Sequence, residues 1–222
     1  MGLLQKNTSR FTLENLVSEP STTTASQALV ILLHGIGSNE QDLFALKDYL
    51  PKDYLVVSAR APIVVGINQF AWFSMQINGQ ERIINQEEFQ KATLKLTDFI
   101  ADIKREYSFD HAKIYLVGFS QGAIMSYAVA LGNPGLVKGV VAIAGRLLPE
   151  TKAAAKEAVE WKDLSVAIFH GTEDTVLPLQ YALEAQNFLQ ENGLQPDFKS
   201  YAIGHHINEE LIEDLQDWLQ KH

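Results

Sequence analysis

The stretch that most constrains this chain is residues 113–125, Lys-Ile-Tyr-Leu-Val-Gly-Phe-Ser-Gln-Gly-Ala-Ile-Met. An apolar, β-branched run ends in Gly118-Phe-Ser120-Gln-Gly122 and passes straight into an apolar segment of helical character. Gly-x-Ser-x-Gly wedged between a strand and a helix forces a sharp turn at the serine and pushes its hydroxyl out of the backbone. Gly118 and Gly122 have mechanical roles: a side chain at either would collide with the neighbouring strand or helix, and the serine between them is held in strain. The bare pattern is a weak signal. The strand before it and the helix after it supply the context it requires.

The rest of the chain supplies a sheet to carry such a turn. Residues 28–33, 54–58, 136–144 and 164–169 are short apolar runs of the kind buried in a parallel sheet. Further strands are expected at 10–17 and 197–202. Helices are expected at 40–50, 86–107, 121–131, 150–160, 179–192 and 208–220, with Gly193 closing the fifth and Asn208 capping the last. Residues 18–27 read as a loop and 63–84 as irregular. Strands alternating with helices predict an α/β fold with a mostly parallel central sheet and helices on both faces. No repeat or linker divides the chain, so residues 1–222 are expected to form one domain.

Composition narrows the partners. A net charge of −9 without a basic cluster argues against a nucleic-acid or anionic-membrane surface. The absence of cysteine excludes disulfides, thiolate nucleophiles and cysteine-based zinc sites. It also fits a reducing compartment, and the N-terminus lacks the apolar core of a secretion signal, so a cytoplasmic protein is expected. No apolar run approaches membrane-spanning length, so no stable membrane insertion is expected.

A serine hydroxyl needs an adjacent base, and the base needs an orienting acid. Where the serine sits on such a turn, these follow in the chain order Ser, acid, His. After Ser120 the outstanding acid is Asp174, in His170-Gly-Thr-Glu-Asp just past a buried strand; Glu173 is the weaker choice. An aspartate there could equally cap a turn. The base must come from His205, His206 or His222, and Gly204-His205-His206 lies in the loop between the last strand and the last helix. His205, directly after Gly204, is preferred. An oxyanion needs two pre-aimed backbone N–H donors. Gln121, at the start of the helix after the serine, offers one, and Ile36 in the glycine-bearing loop His34-Gly-Ile-Gly offers the other.

His34-Gly-Ile-Gly-Ser-Asn-Glu-x-Asp-Leu43, Ala61-Pro62, Trp72-Phe73, Gly118-Phe-Ser-Gln-Gly122, His170-Gly-Thr-Glu-Asp-x-Val-x-Pro178 and Gly204-His205 together resemble the phospholipase/carboxylesterase family of small α/β-hydrolases, which includes acyl-protein thioesterases. The resemblance covers residues 28–221 in the family's order. It implies an α/β-hydrolase fold, Ser120 as nucleophile, Asp174 as acid and His205 as base. It also implies Ile36 and Gln121 as oxyanion-hole donors, and Trp72 and Phe73 along the acyl side of the cleft. The chain departs from the family at His206, after the expected base, and at Ser38-Asn39, after the oxyanion loop.

Residues 145–163 leave space for only a minimal lid, so an open, shallow cleft is expected, with Phe119 and Leu177 as further apolar contacts. Such a cleft suits esters with short to medium acyl chains, cleaved by a Ser-His-Asp triad through an acyl-enzyme, with no metal or organic cofactor. Acyl-protein thioesterase or lysophospholipase activity is the alternative. A non-catalytic binding protein on the same fold would predict a broken triad. A dienelactone hydrolase usually carries a cysteine nucleophile, and this chain has none. A dinucleotide site fails because His34-Gly-Ile-Gly-Ser-Asn lacks the third glycine. Apolar residues near 63–77 suggest a homodimer surface.

Overall fold

The computed structural model describes residues 10–20, 27–78, 81–155 and 161–222. The apolar runs become β2 (Leu29–Leu33), β3 (Leu55–Ala59), β8 (Ile114–Phe119), β9 (Gly139–Ile143) and β10 (Ser165–Gly171). β1 (Asn15–Ser18) and β11 (Asp197–Tyr201) complete a seven-stranded sheet in the order β1-β3-β2-β8-β9-β10-β11. Every pairing is parallel except that of β1 with β3. β2, β3 and β9 are buried along their whole length, which explains why they show no polar alternation.

Alternate residues of each strand feed two cores. Leu29, Ile31, Leu33, Leu116, Val140 and Ile168 face α1 (Gln86–Glu106), α2 (Gln121–Gly132) and α4 (Gln180–Glu191). Val30, Leu32, Val117, Val141 and Phe169 face a 3-10 helix (Leu43–Asp48) and α5 (Glu209–Lys221). α1 buries Phe89, Ala92, Leu96, Phe99, Ile100 and Ile103, a one-sided stripe, and Asn85 caps it by accepting from the Glu88 N–H at 3.2 Å. α2 is buried on every side from Gln121 to Leu131, as expected of a helix between a sheet and other helices. Asn208 caps α5 by accepting from the Leu211 N–H at 3.0 Å. Gly193, at φ +85°, closes α4, where the Leu194 N–H reaches back to the Leu189 carbonyl at 3.0 Å.

Three expectations change. The helix expected over 40–50 is only the six-residue 3-10 helix, because the Asn39 side chain accepts from the Gln41 N–H at 2.9 Å and holds the approach as a turn. The region 63–84 is not irregular. It forms two antiparallel hairpins, β4 (Ile63–Gly66) with β5 (Gln69–Ala71) and β6 (Met75–Asn78) with β7 (Glu81–Ile84), the first turning through Asn68 at φ 56°. Exposed Val64, Val65 and Ile67 had erased the alternation that marks a strand. The helix expected over 150–160 is α3 (Pro149–Ala154), while 156–160 lie outside the described residues, as do 21–26 of the expected loop. No described helix is long and apolar enough to cross a membrane.

Candidate active site

Ser120 sits where the central strand β8 turns into α2, at φ 53° and ψ −114°, a conformation side chains disfavour. Its N–H donates to the Ile143 carbonyl at 2.9 Å, and its own carbonyl accepts from Ala123 and Ile124 at 3.1 and 3.2 Å. The flanking glycines are sterically enforced. A Cβ on Gly118 would stand 2.4 Å from the Gly122 backbone, and one on Gly122 would stand 1.9 Å from the Leu33 carbonyl oxygen. Helix, serine turn and β2 therefore interlock through bare backbone.

The loop after β11 brings in the histidine. It lies directly on the end of β10, where a Cβ on Gly171 would meet the Ile203 and Gly204 carbonyl oxygens at 2.3 and 2.5 Å. His205 Nε2 is 2.9 Å from Ser120 Oγ, and His205 Nδ1 is 2.6 Å from Asp174 Oδ2. A carboxylate only accepts, so Nδ1 carries the proton and Nε2 is left to accept from the serine. Phe119 backs the imidazole, with ring centroids 4.9 Å apart. His206 is exposed and His222 bonds to the Trp218 carbonyl on α5; of the three histidines the loop turns His205 to the serine.

Asp174 is held from two sides. Its Oδ1 accepts from the Val176 and Leu177 N–H groups at 2.9 and 2.8 Å, and its Oδ2 faces His205. One oxygen thus caps the turn and the other meets the imidazole. His170 Nε2 donates to the Leu177 carbonyl at 2.7 Å and closes the same turn from below.

Ile36 and Gln121 flank the serine, and among the described residues neither backbone N–H donates to a protein acceptor. Their loops are rigidly tied. His34 Nδ1 donates to the Gly35 carbonyl at 2.7 Å while its Nε2 accepts from the Ala61 N–H at 3.0 Å, which fixes one neutral tautomer. Burial disfavours the imidazolium and holds the His34 pKa below its ordinary 6.5. Glu40, 1% exposed, takes two guanidinium bonds from Arg60 at 2.5 and 2.6 Å, and Arg60 lies 4.5 Å over the Phe70 ring. The Gln121 side chain accepts from the Trp72 N–H and donates to the Phe73 carbonyl, both at 2.7 Å.

The cleft over Ser120 is a cavity of about 50 Å³. Ile36, Phe73, Gln121 and Leu177 line it as expected. Trp72 and Phe119 do not. Trp72 is fully buried behind the cleft, its indole N–H bonded to the His34 carbonyl at 2.9 Å, and Phe119 faces the His205 ring. Met75, Ile124, Arg146 and Val176 also line the cleft and were not anticipated. Met75 begins the hairpin strand β6, which had not been foreseen. Arg146 had a legible signal: it lies just past β9, at the sheet edge that carries Ser120.

Comparison with known proteins places the chain in a family. The phospholipase/carboxylesterase family model matches residues 16–222. Acyl-protein thioesterase 1 of Kluyveromyces lactis is 27% identical over 224 residues, covering 93% of this chain and 97% of that protein. Esterase YpfH of Escherichia coli is 28% identical over 199 residues, covering 86% of this chain and 75% of its own length. The crystal structure of a carboxylesterase from Mesorhizobium loti superposes with a TM-score of 0.83 over 97% of this chain and 98% of that one, at 18% identity, a likeness of fold. The match of the family model to nearly the whole chain, on an α/β-hydrolase sheet, makes this protein a member of the phospholipase/carboxylesterase family.

Proposed function

We propose that this protein is a serine hydrolase of carboxylic esters with Ser120 as nucleophile, His205 as general base and acid, and Asp174 as the orienting carboxylate. The observation that carries the reading is the unbroken hydrogen-bond chain Asp174–His205–Ser120 at 2.6 and 2.9 Å, beside two undonated backbone N–H groups on Ile36 and Gln121. Ser120 Oγ attacks the ester carbonyl as His205 Nε2 takes its proton, and Asp174 steadies the imidazolium that forms. The Ile36 and Gln121 N–H groups receive the oxyanion, helped by the dipole of α2. His205 returns the proton to the leaving alcohol, then activates water to release the acid. The complete array favours an enzyme over a non-catalytic binding protein. The reaction so drawn uses these side chains, the two backbone N–H groups and water, and one domain over residues 1–222 carries them.

The small cleft supports short to medium acyl chains. Acyl-protein thioesterase activity is the second reading, favoured by the K. lactis relative. The cysteine-free sequence is compatible with work in the cytoplasm. A profile of kcat/KM over p-nitrophenyl esters from acetyl to palmitoyl, beside an S-palmitoylated peptide, tests the proposal. Turnover peaking at short acyl chains and absent in Ser120→Ala is the expected result. Strong turnover of the long-chain thioester would transfer the assignment to the second reading. Near-wild-type turnover by Ser120→Ala would remove the nucleophile.

A further inference from the structure

Among the described residues that line the cleft, Arg146 carries the only charge. Most arginines and lysines with a described partner, such as Arg10, Arg60, Lys91, Arg105 and Lys199, sit against carboxylates. Arg146 has no ion pair and no side-chain hydrogen bond among the described residues; its guanidinium lies 5.4 Å over the Tyr181 ring. That contact leaves the planar edge and its donors uncommitted.

Its backbone is fixed. Ala144 holds φ 49° and donates its N–H to the Phe169 carbonyl at 2.8 Å, and the Cβ of Ala123 in α2 lies 2.5 Å from where a Cβ on Gly145 would sit. Leu147 and Leu148 are buried just beyond. A half-buried arginine is thus presented from a rigid loop into a cleft otherwise lined by apolar and neutral groups. In a protein of net charge −9, whose field repels anions, this is a local reversal of sign.

We propose that Arg146 binds an anionic group of the substrate, a carboxylate carried on the same molecule as the scissile ester, and so makes the enzyme selective for negatively charged esters. The inference rests on the ester-hydrolase reading above. Guanidinium and carboxylate match as a bidentate pair, and the apolar surroundings strengthen the pair relative to water. The charge sits either on the acyl part, as in a half-ester of a dicarboxylic acid, or on the departing alcohol. Both present the same chemistry to Arg146, which acts by positioning the ester over Ser120.

The experiment compares matched ester pairs. One arm sets monomethyl glutarate against its terminal amide. The other sets 4-carboxyphenyl butyrate against 4-carbamoylphenyl butyrate. The quantity read is the ratio of kcat/KM, anionic over neutral, within each protein, so that losses common to both esters cancel. In one arm the wild-type ratio should exceed that of Arg146→Gln by about tenfold or more, the range of a charge-assisted hydrogen bond, with Arg146→Lys between them. The arm that responds locates the charge. Equal ratios in wild type and Arg146→Gln in both arms, with Ser120-dependent turnover intact, overturn the assignment of Arg146 alone. Absence of Ser120-dependent turnover of any ester overturns the hydrolase reading and this inference with it.

Discussion

The strain at Ser120 can be weighed by replacing the serine in two ways. Ser120→Ala removes the hydroxyl and keeps a Cβ at φ 53°, ψ −114°; Ser120→Gly removes both. A residue with a Cβ in such a region costs about 1–3 kcal/mol, whereas for glycine it is the mirror image of an ordinary extended conformation. Two effects oppose the gain. Glycine's freer unfolded chain costs about 0.4–1 kcal/mol. The missing methyl, which lies beside Gly35, costs roughly half a kcal/mol. Taking the middle of each range, Ser120→Gly should be more stable than Ser120→Ala by about 1 kcal/mol, or about 2–4 °C in Tm for a chain of this size. Both variants lose the bond to His205, so that loss cancels in their difference. Urea unfolding and calorimetry at pH 8 measure it. Both variants should be inactive. If Ser120→Gly proves less stable than Ser120→Ala by more than about half a kcal/mol, the strain falls below even the lower end of that range and the account of the local geometry is wrong.

Other perturbations probe the neighbouring contacts. Asp174→Asn can keep its oxygen on the Val176 and Leu177 N–H groups but presents an amide to His205 Nδ1, reversing the tautomer; kcat should fall about 10³–10⁴-fold with the fold intact by circular dichroism, and a loss below tenfold would contradict the role. Gly122→Ala drives a methyl against the Leu33 carbonyl, at 1.9 Å, and should cost about 3 kcal/mol or more, while Gly132→Ala, with open space around it, should gain about 0.5–1 kcal/mol; similar urea midpoints for the two would refute the interlock. His34 is buried neutral with a lowered pKa, so between pH 6.5 and its folded value the unfolded chain binds more protons. Stability should therefore be lost as pH falls through that window. The slope should flatten in His34→Gln, and an unchanged slope would assign the effect elsewhere.

What the sequence disclosed follows from how each feature is enforced. β2, β3 and β9 could be read because strands buried on both faces must be apolar throughout. Ser120 and Asp174 stood out because bare backbone contact demands glycine beside them, at Gly118, Gly122 and Gly171, and His205 because it lies in the short loop after the last strand. Trp72 and Phe119 were misplaced because a motif fixes a residue's position along the chain and says nothing of the side it faces. Trp72 turns inward to give its indole N–H to the His34 carbonyl. The β4–β5 hairpin was hidden because Val64, Val65 and Ile67 point outward, so its apolar residues carried no information about a core.

The side chains that sequence reasoning left without a task explain why the site is preformed. In the sequence Gln121 has a task only through its backbone N–H, yet its amide spans the Trp72 N–H and the Phe73 carbonyl and ties the cleft wall to the residue after Ser120. His34 was only the first letter of a loop motif, yet its ring bridges Gly35 and Ala61. Glu40 is in the sequence only a later letter of the same motif, yet it is buried against Arg60 and holds the far end of the same loop. An oxyanion cradle lowers a barrier only to the extent that its donors need not reorganise as charge develops. Three separate ties, to Ala61, to the Trp72–Phe73 segment and to Arg60, hold the loops that carry Ile36 and Gln121 before any substrate arrives. Loosening any one should therefore lower kcat more than it raises KM.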